Sequence, residues 1–134
     1  MTTTPARILI VEDDADSLKM LCLLLESWGY QVDEARRGDI ALDKIRDNCP
    51  DVVISDLVMP GMSGLELLHA IRTERKECLI FFILTTGYGT VQKGVRAITQ
   101  GADEVIIKPI DPDDLFELLC RHGFCGDLNA KPKT

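Results

Sequence analysis

No stretch of this 134-residue chain is apolar for long enough to cross a bilayer. The longest unbroken run, residues 79–84, falls far short of the ~20 residues that a spanning helix needs. The N-terminus is polar and lacks the charged start and apolar stretch of a secretory signal, so a cytoplasmic, reducing setting is expected. Positive charge is scarce: 15 Lys and Arg stand against 22 Asp and Glu, a net charge of −7. Binding to a nucleic-acid backbone wants clustered cations, so nucleic acid and membrane are not expected as partners. A metal ion, a basic protein surface or a phosphorylated partner remains compatible. The five cysteines, Cys22, Cys49, Cys78, Cys120 and Cys125, include no zinc-spaced set. Most of them read as small buried hydrophobes, with Cys120 and Cys125 close enough in sequence for a disulfide or a metal. Internal repeats and internal linkers are missing too. What remains is a chain that is 46% hydrophobic, enough for the core of one domain.

Short branched-apolar runs alternate with helical patterns five times. Arg7 to Val11 reads as a strand, and Leu18, Leu21, Cys22, Leu25 and Trp28 then recur at helical spacing up to a stop at Gly29. Residues 30–35 mix apolar and charged side chains, as an edge strand does. Ala41, Leu42 and Ile45 mark a second helix that ends before Pro50. Val52 to Ser55 is a third strand. Ser63 with Glu66 three positions later is a capping box, opening a helix faced by Leu67, Leu68 and Ile71. Residues 79–84 are a fourth strand, apolar on both faces. Val91, Val95, Ile98 and Ala102 predict the inward face of a fourth helix. Val105, Ile106 and Ile107 are a fifth strand. Asp111 and Pro112 read as a cap and first helical position, followed by Leu115, Leu118 and Leu119.

Five such units predict an α/β fold of the flavodoxin-like kind, a doubly wound (βα)5 sandwich around a parallel sheet. The order 2-1-3-4-5 suits the half-polar second strand. It puts the ligand crevice beyond the carboxyl ends of strands 1 and 3, where the order reverses. Residues 6–123 are expected to form the domain, with flexible tails at 1–5 and 124–134.

Glu12, Asp13 and Asp14 follow strand 1, Asp56 follows strand 3, Thr85 and Thr86 follow strand 4, and Lys108 with Pro109 follows strand 5. Each alone has an ordinary explanation as a cap, a turn former or a solvated loop; for Asp14 the helix cap is the preferred one. Independent turn formers, however, have no reason to converge on one switch point. Packed carboxylates repel, and a hard divalent cation such as Mg²⁺ relieves the repulsion while keeping some of its waters. Such a cluster suits phosphoryl transfer to a carboxylate, which needs positioning and charge stabilisation above all. Asp56 would be the nucleophile, Lys108 would hold a phosphoryl oxygen, and Thr85 would add a hydrogen bond.

At these residues the chain resembles the receiver domain of bacterial two-component response regulators, the CheY-like superfamily. The likeness runs over residues 6 to 122. It is carried by Ile8 to Asp14, by the segment from Pro50 through Asp56 and Pro60 to Gly64, by Ile83 to Thr85, by Gly101 to Asp103, and by Lys108 with Pro109. The resemblance implies that Asp56 is the phosphoacceptor. It implies that Asp13 binds Mg²⁺ directly, Glu12 through water, and Val58 through its backbone carbonyl. Thr85 would be the switch hydroxyl, Thr86 stands where a small residue is usual, and the Lys108–Pro109 bond would be cis. It also implies a sensor histidine kinase or phosphotransfer protein as donor, an output domain or partner protein as receiver of the signal, and a dimer face on helix 4, strand 5 and helix 5. One position departs from the pattern: Val105 replaces the usual Tyr or Phe, so signalling is expected through the Thr85 loop and helix 4. Val58 and Gly87 offer no polar side chain to orient water, so the acyl phosphate is expected to hydrolyse slowly. Tyr88, in the loop at 87–90, is a candidate partner contact.

Three other functions fit these residues less well. A flavin module would need a phosphate-cradling loop where Glu12, Asp13 and Asp14 repel phosphate. An aspartyl-phosphate phosphohydrolase would want a second acid at Val58. A receiver-like interaction module that needs no phosphorylation has no use for the site residues present.

Overall fold

The computed structural model describes residues 5–75, 77–87, 89 and 91–124. Strands β1 (Arg7–Val11), β2 (Gln31–Ala35), β3 (Val52–Asp56), β4 (Phe81–Thr86) and β5 (Glu104–Ile107) alternate with helices α1 (Ala15–Ser27), α2 (Gly38–Asp47), α3 (Gly64–Glu74), α4 (Val91–Thr99) and α5 (Pro112–Arg121). The strands form one parallel sheet in the order β2-β1-β3-β4-β5, as the sequence predicts.

Side chains alternate across a strand, and the two cores follow from this. Leu9, Val11, Val53, Phe82 and Leu84 point to one face, where Ala41, Leu42, Ile45, Leu67, Leu68, Ile71 and Ala97 of α2, α3 and α4 cover them. Ile8, Ile10, Val52, Ile54 and Ile83 point to the other, under α1 and α5. There Trp28 meets Phe116 edge to face, with ring centroids 5.0 Å apart. β2 keeps only Ala35 buried, in line with its place at the edge.

Local signals end the elements where the sequence puts them. Asp14 caps α1 by accepting from Ser17 N at 2.9 Å, and Gly29 takes the positive φ of 92° that ends that helical segment. Ser63 and Glu66 exchange both bonds of the capping box. Asp111 caps α5 with Pro112 at its first position.

Four expectations need correction. The apolar face predicted for α4 points inward only in part: Ala102 is buried but Val95 and Ile98 are exposed, and among the described side chains of α4 it is Ala97 that is buried. Periodicity tells which residues share a face but not which face meets the sheet, and the small Ala97 lets α4 approach closely. The fourth strand begins at Phe81, and Leu79 lies 93% exposed in the preceding loop. Phe124, placed in the tail by the sequence, stacks on Phe81, and its carbonyl accepts from the Tyr30 hydroxyl. Cys22 is buried as expected, but Cys49 and Cys78 are joined as a disulfide with Cα atoms 5.9 Å apart. β3 and β4 pair with a constant offset (Val52 opposite Phe81, Asp56 opposite Thr85), and the 29-residue separation of the two cysteines equals it. Pairing of the strands therefore brings the two loops together. Tyr88, Cys125 and the remaining tail residues lie outside the described residues, and with them the Cys120–Cys125 and Tyr88 expectations.

Candidate functional site

The carboxyl ends of β1, β3, β4 and β5 bring the charged residues into one crevice. Glu12 leaves β1 with its backbone N–H held by Ala35 O at 3.0 Å. Its side chain is turned back over the strand end, accepting from Asp14 N at 3.2 Å. Asp56 is the last residue of β3, directly opposite Thr85 of β4. Lys108 follows β5, with its N–H on Thr86 O at 2.8 Å and a cis bond to Pro109.

Lys108 Nζ lies 3.1 Å from Asp56 Oδ2 and 3.1 Å from Glu12 Oε2. Glu12, Asp13 and Asp56 each offer a carboxylate oxygen, all within 4.8 Å of one another. Two of these three carboxylates, Glu12 and Asp56, thus share one ammonium. Burial pushes the Glu12 carboxyl above its usual range, and the Asp56 charge adds to this against the opposing pull of Lys108. Burial alone would lower the Lys108 pKa, but its bonds to Asp56 and Glu12 outweigh burial and raise it.

The excess negative charge and the all-oxygen donor set fit a hard divalent cation of the Mg²⁺ kind. Among the described residues, Glu12, Asp13 and Asp56 are the side chains grouped closely enough to hold it. Val58 lies in the loop two residues beyond Asp56, with its side chain 60% exposed. Thr85 is buried, and its hydroxyl donates to Ser55 O at 3.4 Å. Thr86 is buried beside it. An apolar groove of about 540 Å³ opens onto Asp56, Thr85 and Lys108, walled by Met20, Leu21, Leu24 and Ile110.

Two supports of the site were not assigned by sequence reasoning. A Cβ on Gly64 would sit 2.4 Å from the Asp56 carbonyl oxygen, so only glycine lets α3 start this close to the end of β3. A glycine just inside a helix, behind a capping Ser, is the signal that could have found it. Arg72 of α3 donates to Ile80 O at 2.9 Å and Gly101 O at 2.7 Å and pairs with Asp103 at 3.1 Å. Asp103 also accepts from Phe82 N at 2.8 Å, so α3, β4 and the turn before β5 are tied together. These partners are distant in sequence, and spacing alone gives no sign of them.

Residues 8–120 match the family model described as the response regulator receiver domain. The phosphate regulon transcriptional regulatory protein PhoB of Klebsiella pneumoniae is 36% identical over 109 residues, covering 81% of this chain and 48% of the relative. The transcriptional regulatory protein ZraR of Klebsiella oxytoca is 38% identical over 95% of this chain but only 28% of its own length. The chain therefore spans half or less of these curated relatives. Among solved structures, a response regulator receiver domain protein from Clostridium thermocellum superposes with a TM-score of 0.81 at 30% identity, covering 89% of this chain and 94% of that one. The chemotaxis response regulator CheY4 of Vibrio cholerae gives 0.80 at 31% identity, covering 88% and 98%.

Proposed function

The chain belongs to the response regulator receiver domain family, and from that premise we propose that it is a phosphorylation-driven switch whose phosphoacceptor is Asp56. The observation that carries this reading is the carboxylate of Asp56 held at 3.1 Å by Lys108 in a crevice that also holds Glu12 and Asp13. An Asp56 oxygen attacks phosphorus, a P–O bond forms, and the bond from phosphorus to the donor nitrogen breaks. The donor is a phosphohistidine on a sensor histidine kinase or a phosphotransfer protein, and the groove beside Asp56 is apolar enough to seat such a partner. Because that donor draws on ATP, the reading places the protein in the cytoplasm.

Glu12, Asp13, Asp56 and the Val58 carbonyl would hold Mg²⁺, which would supply positive charge for the carboxylates and the incoming phosphoryl oxygens. Lys108, already bonded to the acceptor carboxylate, follows the charge onto a phosphoryl oxygen. Thr85 exchanges its long bond to Ser55 O for a bond to the same group. That exchange moves the β4–α4 loop, and the phosphoryl group acts by shifting the balance between two conformations. Val105 offers no ring to turn inward, so the shift is carried by backbone. Exposed Val95, Ile98 and Ile107 on α4 and β5 support that face as the output or dimer surface.

The switch is loaded once per cycle and is not a multiple-turnover enzyme. The side chains at Val58 and Gly87 give an attacking water no base or hydrogen-bond acceptor, so hydrolysis is slow. The phosphohydrolase reading is disfavoured by the apolar Val58 at the position where a second acid would act. Intact-mass measurement after incubation with acetyl phosphate and Mg²⁺ tests the assignment. One added phosphoryl group on the wild type, and none on Asp56→Asn, is the expected result. Equal labelling of both proteins would overturn it.

A further inference from the structure

At the opposite end of the strands, the same pair that ends in Asp56 and Thr85 begins beside Cys49 and Cys78. Each cysteine stands three residues before its strand, and the 29-residue separation places them side by side, with Cα atoms 5.9 Å apart. That span lies inside the range a disulfide bridges without backbone movement. Arg75, at the end of α3, brings Nη2 to 3.8 Å from Cys49 Sγ. Its Nε is buried and has no hydrogen-bond partner among the described residues. Arg75 and Cys78 line an open groove of about 660 Å³ together with Arg72, Leu79 and Phe124, which lets a small solute approach the pair from the Cys78 side. Cys49 is half-buried and Cys78 is the more buried of the two.

A guanidinium beside a thiol favours the thiolate, the form that reacts with oxidants. In a reducing compartment disulfides are transient, and those that form there serve catalysis or redox sensing. We propose that Cys49 and Cys78 are an oxidant-sensing thiol pair, in which a hydroperoxide oxidises Cys49 and Cys78 resolves the product into an intramolecular disulfide.

With hydrogen peroxide, the Cys49 thiolate attacks one peroxide oxygen and the O–O bond breaks. This gives Cys49 sulfenic acid and hydroxide, which takes up the proton that Cys49 released. Cys78 sulfur then attacks the sulfenic sulfur, the S–O bond breaks, and the thiol proton leaves with that oxygen as water. Two thiols and one peroxide become one disulfide and two waters. The bond staples the starts of β3 and β4, whose far ends hold Asp56 and Thr85. Cys22 is excluded from this chemistry: burial, then its hydrogen bond to Glu34, push its thiol up to about 12.

The test uses the full 134-residue chain, reduced and then freed of reductant. Equimolar hydrogen peroxide followed by alkylation and non-reducing peptide mapping is expected to yield a linked Cys49–Cys78 peptide and a higher Tm that dithiothreitol reverses. In Cys78→Ser, dimedone is expected to trap a sulfenic acid on Cys49. Arg75→Ala is expected to slow iodoacetamide labelling of reduced Cys49 several-fold, with Arg75→Lys recovering part of the rate. Cys49 and Cys78 that both stay alkylatable after peroxide, or a dimedone adduct on Cys78 in Cys49→Ser with none on Cys49 in Cys78→Ser, would overturn the proposal.

Discussion

The Lys108 ammonium lies 3.1 Å from Asp56 Oδ2 while it also holds Glu12 at the same distance. One cation thus offsets part of the repulsion among three carboxylates that the strand ends bring together. Much of what can be measured on this site follows from that imbalance.

Removing the ammonium leaves the acidic cluster without compensation. Lys108→Ala is expected to cost about 1–2 kcal/mol in metal-free buffer. This is the lower end of the range for hydrogen bonds between charged groups, because Lys108 is one-third exposed. Millimolar Mg²⁺ should restore most of the loss. Urea unfolding with EDTA and then with Mg²⁺ measures both, and a variant as stable as wild type in EDTA would contradict the coupling.

Glu12 offers a pH test. Its carboxyl is raised in the fold, chiefly by burial and then by the Asp56 charge. A raised carboxyl binds its proton more tightly folded than unfolded, so its favourable contribution is complete below the ordinary Glu range. That contribution is lost as pH rises through the folded pKa. At neutral pH the ionised Glu12 therefore weighs against the apo fold. Glu12→Gln, which keeps an acceptor for Asp14 N, should raise the apo Tm at pH 7, and the gain should vanish below about pH 4. A gain that grows on acidification would refute this account.

Mg²⁺ should stabilise the wild type by mass action, with about 2.7 kcal/mol expected at a hundredfold excess over the dissociation constant. Asp13→Asn removes a charged donor from the cluster and should abolish most of the response. A thermal titration with MgCl₂ reads both. An unchanged Tm in the wild type over millimolar Mg²⁺ would remove the metal from the mechanism.

The start of α3 sets the position of Asp56. Gly64→Ala would drive a methyl to 2.4 Å from the Asp56 carbonyl oxygen, a backbone atom that cannot swing away. A loss of about 1–3 kcal/mol is expected, together with slower phosphorylation by acetyl phosphate. Gly61→Ala, where nothing lies within 4 Å, is the comparison for a glycine whose constraint is its φ of +77° alone. Wild-type stability in Gly64→Ala would show that the loop relaxes.

Local chemistry determined much of this protein before any tertiary contact. Branched runs, helical spacing, the Ser63–Glu66 box and the Asp111–Pro112 start specify their elements through interactions a few residues long. The half-polar run at 31–35 then selects the edge position, so the strand order was legible. Because the strand order decides which ends converge, the gathering of Glu12, Asp13, Asp56, Thr85 and Lys108 was legible too. Only the tertiary structure decided features that depend on the offset between strands or on which helix face meets the sheet. The join of Cys49 to Cys78, the outward turn of Val95 and Ile98, the Arg72–Asp103 tie and the close approach at Gly64 are of this kind. Each is set by the distance between segments far apart in the chain. That distance exists only once the sheet has paired and the helices have packed.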